Sequence, residues 1–449
     1  MDERGRSRFN RRAVKVADAQ QLILEAIRPV GVEQVALWQG CGRRLAQTLQ
    51  ATSDWPPFAR SGLDGFAIRG ADAAHASPEH PVTLQVIDAV AAGQVARQRV
   101  EPGTAVRIMT GAAMPEGADA VVMLEQTAPA GLAGQTAVRV KHAARPGQNV
   151  ALPGEEFRCG SAIAGPGTVI RPGHIGLLGT FGYAELPVYA RPRVAVFATG
   201  SELLPVAAPL EPGRIRDSNS AMVAAMVAQS GGEPVLFGRL PDRVDAVIEA
   251  LTAALAEADC IITIGGVSVG DYDVMAILLS EMKRNHALKS ELMKPKSQET
   301  LGQTLEPSSD PVCFSKVLFD RVAMRPGSPT SAALLNGKPL FALSGNPGAC
   351  YVGFELFVRP ALHRMQGELD PLPRPLEAEL TDQIRKGSPH ERYVRCKLIL
   401  NDGRVFAEPL AFGKSSMMAS IPQADGLLVV PSGPEGAAAG SRVKVLPVP

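Results

Sequence analysis

Asp259-Cys-Ile-Ile-Thr-Ile-Gly-Gly-Val-Ser-Val-Gly-Asp-Tyr-Asp273 decides the fold of this chain. Its first part has the apolar, β-branched pattern of a buried strand. Directly behind it, Val274-Met-Ala-Ile-Leu-Leu-Ser-Glu281 has a helical pattern. A glycine-rich loop therefore joins a strand end to a helix start. Gly265, Gly266 and Gly270 allow positive φ and let a ligand approach the backbone closely. The helix N-terminus offers free amides and partial positive charge to an anion. Asp271 and Asp273 add carboxylates that either cap the helix or hold a metal. A tight turn with an aspartate cap explains the same residues, and the loop alone does not separate the two readings.

The flanking sequence repeats the alternation. Strands are predicted over 193–198, 234–238, 260–264 and 340–343, and helices over 220–230, 244–256, from 274 onward and over 349–366. Near-continuous apolar strands alternating with helices indicate a doubly wound parallel sheet over 191–370. Ligands of such sheets bind beyond the carboxyl ends of the strands. Thr199-Gly-Ser-Glu202, Pro241-Asp242, the glycine loop and Ser344-Gly-Asn-Pro347 all follow strands, so their glycines and carboxylates converge on one edge.

Around this α/β domain the pattern changes. Residues 1–13 are basic and lack an apolar core behind them, which reads as a disordered tail and not a secretory signal. Residues 14–57 and 150–190 form an N-terminal mixed domain, with helices predicted over 16–27 and 36–49. Residues 58–149 are a β-rich inserted domain, with strands over 82–87, 104–109, 120–124 and 137–140 punctuated by Gly and Pro. Residues 371–449 are a small β domain. The stretch 283–315 is polar and without period, which reads as a mobile surface insertion.

A chain of 449 residues implies roughly two to four domains. The net charge of +1 argues against a nucleic-acid or membrane-surface binder. No run of 18 or more apolar residues occurs, so no membrane helix is expected. None of the six cysteines forms a C-x-x-C pair, and several sit in apolar runs, which fits a reducing cytoplasm. The seven histidines show no metal-ligand spacing.

Read together, Phe58-Ala-Arg-Ser-Gly-Leu-Asp-Gly-Phe-Ala67, Arg107-Ile-Met-Thr-Gly-Ala112, Thr199-Gly-Ser-Glu-Leu203, Asp217-Ser-Asn219, Gly265-Gly-Val-Ser-Val-Gly270 and Gly345-Asn-Pro347 occur in one order. That order resembles the molybdopterin molybdenumtransferases, the MoeA family that includes the gephyrin E domain, from about residue 15 to 448. The resemblance implies four domains and a homodimer with a site shared between subunits. It implies adenylylated molybdopterin and molybdate as substrates, Mg²⁺ as cofactor and AMP as a product. It also brings molybdopterin adenylyltransferase and molybdoenzymes into view as partners. A pterin-binding scaffold without turnover and an insertase for tungstate are the competing readings.

The same resemblance suggests residue roles. Glu202, Asp242 and Asp273 become metal-linked carboxylates; for Glu202 and Asp242 the competing reading is a cap of the segment that follows. Ser268 and the amides of Gly265, Gly266 and Gly270 would hold phosphate or pterin. Asp64 and Thr110, turn residues within their own domain, would complete the site in trans. Arg321 and Arg325 stand where the family commonly has lysines. Ser328 stands where another lysine is common, and Ser344 replaces a usual proline before Asn346 and Pro347. Lys414, Ser415 and Ser416 match a C-terminal loop near the site, or form a solvated turn.

Overall fold

The computed structural model describes residues 13–132, 135–241, 243–267, 273–292, 315–410 and 417–449. Two compact units divide the chain, one formed by the chain up to Glu33 together with Pro187–Pro449, the other by Gln34–Leu186. Asp242, Ser268, Gly270 and Ser415, with Asp271, Lys414 and Ser416, lie outside the described residues, as do 1–12 and 293–314.

The larger unit opens with α1 (Val16–Ala26). The sheet segment then runs β1 (Arg193–Ala198), α2 (Asn219–Gln229), β2 (Glu233–Arg239), α3 (Val244–Glu257), β3 (Cys260–Ile264) and α4 (Val274–Leu292). It continues through β4 (Ser315–Phe319), β5 (Met324–Arg325), β6 (Ser331–Leu335) and β7 (Lys338–Leu343). The six-stranded order is β2-β1-β3-β7-β6-β4. The first four are mutually parallel. Side chains alternate between two cores, as a sheet covered on both faces requires. Val194, Val196, Ile262 and Phe341 pack with Ile23 of α1 and Val223 of α2. Ala195, Phe197, Ile261 and Leu340 pack with Leu251 of α3 and Leu278 of α4.

The sheet ends differently from the all-parallel expectation. β6 runs antiparallel to β7, and β4 antiparallel to β6. Asn336 (φ 49) and Gly337 (φ 79) join β6 to β7. An Asn-Gly pair with both φ positive is the tight hairpin turn that matches strand twist, a signal present in the sequence. α4 continues to Leu292, into the stretch expected to be an insertion, whose remainder lies outside the described residues. Lys, Arg, Ala, Leu and Glu are good helix formers without an apolar period.

One side chain from the sheet holds a helix end. Lys338 Nζ donates to the carbonyls of Leu255 and Ala258, each at 2.8 Å, at the C-terminus of α3. A cation there satisfies orphan carbonyls and complements the helix dipole. Lys338→Met keeps the stem and removes the charge. It is expected to cost about 1–2 kcal/mol by urea unfolding; a loss below the measurement error would show that water replaces the ammonium.

The helix expected over 349–366 is α5 (Pro347–Gly353), a π-helical turn (Phe354–Val358) and α6 (Arg359–Met365). The π turn widens the backbone ladder. Gln20 of α1 reaches in, and its Nε2 donates to Leu356 O at 3.0 Å.

The C-terminal strands are β8 (Leu376–Leu380), β9 (Glu391–Asn401), β10 (Arg404–Pro409), β11 (Gly426–Val430) and β12 (Arg442–Pro447). Their order is β5-β9-β10-β8-β12-β11, and β9 also pairs with β11, which closes a small barrel. β5, outside the expected 371–449 span, adds to it by running parallel to β9.

The smaller unit holds a six-stranded sheet in the order 120–123, 65–68, 104–108, 82–90, 135–140 and 127–132. Its last strand was not legible, since Pro129 and Gly131 interrupt the pattern. The sheet tolerates them because that strand lies at an edge. No second helix forms over 36–49; a single 3₁₀ turn, Leu37–Gly40, ends before Gly42 at φ +80.

Candidate active site

β1 leads to a helix that feeds β2 on one side, and β3 lies on its other side. Neighbouring connections diverging in this way leave a crevice at the carboxyl ends of β1 and β3. Three strand-end turns meet there. Thr199 donates through its amide to Ile264 O at 2.9 Å, and Gly265 N to Leu343 O at 2.9 Å. Asn219 Nδ2 donates to Gly345 O at 2.7 Å, which ties the start of α2 to the third turn.

Gly265 and Gly266 have φ +93 and +66, as the sequence demands. A Cβ on Gly265 would stand 2.6 Å from Thr199 Oγ1, so the first turn presses on the second with no room for a side chain. A Cβ on Gly200 would stand 2.3 Å from Glu202 Oε2. The Glu202 carboxylate therefore folds back across the backbone of its own turn.

A cleft of about 1940 Å³ opens over these turns. That exceeds the usual ~300–1,000 Å³ of small-molecule clefts and leaves room for an extended ligand. Glu202, Gly265, Gly266, Asp273, Arg325, Asn346 and Pro347 all line it, so seven of the sequence candidates share one space. Asp273 precedes α4, and its carbonyl accepts from Ile277 N at 3.1 Å. Asn346 caps α5 through its backbone, with Pro347 at the first helical position, where a missing N–H costs nothing. Ser344, in place of the usual proline, tightens this turn by accepting from Asn346 N at 3.3 Å. Arg321 is not among the residues that line the cleft. Its Nε donates to Ser328 Oγ at 3.3 Å, so this cation braces the turn behind the wall.

The opposite wall was not anticipated. Asp382, Arg385, Lys386, Arg392 and Arg395 line the cleft from the barrel. Arg395 is buried; its guanidinium donates to Ser420 Oγ at 2.9 Å, Met417 O at 3.1 Å and Gly348 O at 3.3 Å. Burial holds it below the usual arginine range. Arginines within an alternating strand such as Tyr393-Val-Arg-Cys-Lys-Leu398 read as its solvent face, so nothing in the pattern marked them.

Among the described residues, no group of three or more His, Cys, Asp or Glu could hold a metal ion. Burial pushes the thiols of Cys350 and Cys396 up to about 12, which agrees with cysteines used as small hydrophobes.

Three family models match in series. Residues 14–182 match the MoeA N-terminal region (domain I and II), 195–364 a probable molybdopterin binding domain, and 377–448 the MoeA C-terminal region (domain IV). A molybdopterin molybdenumtransferase of Bacillus subtilis is 40% identical over 97% of this chain and 94% of its own length. The chain belongs to the molybdopterin molybdenumtransferase family. A Staphylococcus aureus molybdopterin molybdenumtransferase is 38% identical over 97% of this chain and 96% of its own. The crystal structure of a molybdopterin biosynthesis protein from Pyrococcus horikoshii has a TM-score of 0.77 at 28% identity, covering 97% of this chain and all of that one.

The two remaining candidates of this molybdenumtransferase-family chain meet in the smaller unit. Asp64 Oδ1 accepts from Thr110 N at 2.6 Å and from Thr110 Oγ1 at 2.7 Å. Forty-six residues apart in sequence, they are one hydrogen-bonded pair. The Thr110 amide, then its hydroxyl, hold the Asp64 carboxyl below its ordinary value. Because the folded pKa is depressed, the stability from these bonds is full above the ordinary aspartate value and is lost as pH falls through the lower folded one. Thr110→Val removes the hydroxyl and keeps the amide. Carboxyl NMR titration should then show Asp64 ionising at higher pH than in the wild type; an unchanged titration would assign the whole effect to the amide.

Proposed function

We propose that this chain inserts molybdenum into molybdopterin, taking adenylylated molybdopterin and molybdate and releasing AMP. The observation that carries the reading is the cleft itself. Carboxylates Glu202 and Asp273 stand at the strand ends on one wall, and guanidinium groups stand on the other. A pyrophosphate needs cationic neutralisation on its oxygens and a rigid cradle for alignment. The pressed turns around Gly265 supply the cradle, and the barrel wall supplies fixed positive charge.

Two carboxylates on one wall suit a magnesium ion that keeps water and phosphate oxygens as its other ligands. Glu202 and Asp273, with Asp242, would hold it; when bound it neutralises charge on the pyrophosphate. The residues of the chain do the rest: Asn346 and the strand-end amides orient the pterin end, and Arg325 faces the anionic groups. In this reading the chain works as a homodimer, with Asp64 and Thr110 of one subunit serving the cleft of another.

The test is AMP release from adenylylated molybdopterin by purified protein. Release that requires both molybdate and Mg²⁺ supports the proposal. Tight pterin binding without release would replace it with a scaffold. Faster turnover with tungstate in direct competition would change the metal.

A further inference from the structure

Arg325 and Arg392 are direct register partners in the parallel pairing of β5 with β9. Both line the cleft. Like charges placed opposite one another across a ladder destabilise it, and proteins ordinarily separate them or insert a carboxylate. Here, among the described residues, neither guanidinium has an ion-pair partner. The side-chain bonds of two barrel carboxylates go to hydroxyl groups and not to these guanidiniums. Glu391 accepts from Tyr393 Oη at 2.9 Å, and Asp382 accepts from Thr381 Oγ1 at 2.9 Å. Among the described residues, Arg392 is positioned by a bond from Nη1 to the carbonyl of Lys386 at 2.6 Å. That bond sets the plane of the guanidinium and leaves the charge uncompensated.

We infer that Arg325 and Arg392 form a two-guanidinium clamp for a tetrahedral dianion at the barrel wall of the cleft. This rests on the function proposed above and names a part of that site which the sequence did not disclose. Burial, then the neighbouring Arg325, hold Arg392 below the usual arginine range, as expected where two cations face one another without a counter-charge. The geometry suits the ligand: two planar forks can each donate twice to a tetrahedral oxyanion. Arg392 also restores positive charge to a cleft where Ser328 carries none. Its site on the barrel strand, 64 positions beyond Ser328, explains why a linear comparison overlooks it. The dianion is either a free metal oxyanion or a phosphate monoester.

Titration calorimetry on the full chain, with sodium molybdate in one arm and AMP in the other, tests this without requiring turnover. Arg392→Gln should weaken at least one arm by about 10- to 100-fold, and Arg392→Lys by less, since lysine keeps charge without the fork. Loss confined to molybdate assigns the clamp to the free oxyanion, and loss confined to AMP assigns it to the phosphate ester. Melting curves supply the second readout. Ligand-free Arg392→Gln should melt at or above the wild-type temperature, because repulsion is relieved, and should lose the ligand-induced rise that the wild type shows. Unchanged affinity in both arms, or a ligand-free variant that melts lower while keeping the full ligand-induced rise, overturns the clamp. Failure of AMP release in the turnover assay with these titrations intact would instead remove the insertase reading and leave the clamp standing.

Discussion

Asp273→Asn is expected to lower molybdate-dependent AMP release by about 10²–10³-fold, in the range found when one fixed electrostatic contributor to a transition state is removed. The substitution separates the two readings of this residue. As a helix cap, asparagine is as good as aspartate, and the backbone carbonyl at 273 already accepts from Ile277 N. A structural role therefore forecasts an unchanged protein with unchanged turnover. A site role forecasts normal folding, pterin binding within about threefold of wild type, and lost kcat, because the group is needed as an anion where charge develops. Fluorescence titration with the pterin and single-turnover AMP release measure the two quantities. Retained kcat in the asparagine variant would return Asp273 to the role of a cap.

The largest stability effect is expected at the buried ion pair of the π turn. Arg359 donates through Nε and Nη2 to both carboxylate oxygens of Glu355, at 2.6 and 2.7 Å. It also reaches Ser230 Oγ at 2.7 Å and Gln229 Oε1 at 3.1 Å, joining the end of α2 to α6. The two side chains are only 10% and 5% exposed, which decides the energetics. Glu355→Ala leaves a guanidinium in the core without its counter-charge and is expected to cost about 3–5 kcal/mol. Glu355→Leu combined with Arg359→Met removes both charges and should cost far less, since an apolar pair of similar volume avoids the desolvation penalty. Urea unfolding of Glu355→Leu alone, Arg359→Met alone and the double closes the cycle. A coupling below about 0.5 kcal/mol would mean that solvent reaches the pair.

The sheet was legible because a doubly wound sheet writes itself locally. Each strand buried on both faces is a continuous apolar run, and each helix has its own period, so 193–198, 244–256 and 260–264 could be read one at a time. The Asn336-Gly337 turn is equally local, and it makes β6 antiparallel to β7 where the alternation alone predicts parallel strands. The helix over 36–49 failed for the opposite reason: apolar residues at helical spacing cannot outweigh a glycine at positive φ.

The candidate site divides in the same way. Glu202, Gly265, Gly266, Asp273, Asn346 and Pro347 announce themselves by following strands, and strand ends of one sheet must converge. Glycine at 265 could be foreseen from its loop, whereas the Thr199 hydroxyl that forbids anything larger belongs to another strand. Arg392 and Arg395 carried no such mark, because a charged residue on a half-exposed strand looks the same whether it faces bulk water or a cleft. Arg321 reads as a ligand in the sequence, and in the fold its guanidinium bonds Ser328 Oγ.

By itself the sequence determined the order of elements, the chemistry of the strand-end turns and the family to which the chain belongs. These depend on residue types a few positions apart, and local sterics and periodicity decide them. Only the tertiary structure decided which charges face one another. It closed the barrel, paired β5 with β9, set Arg325 beside Arg392 and joined Asp64 to Thr110, because electrostatic interaction depends on distance in space and the chain conceals that distance until it has folded.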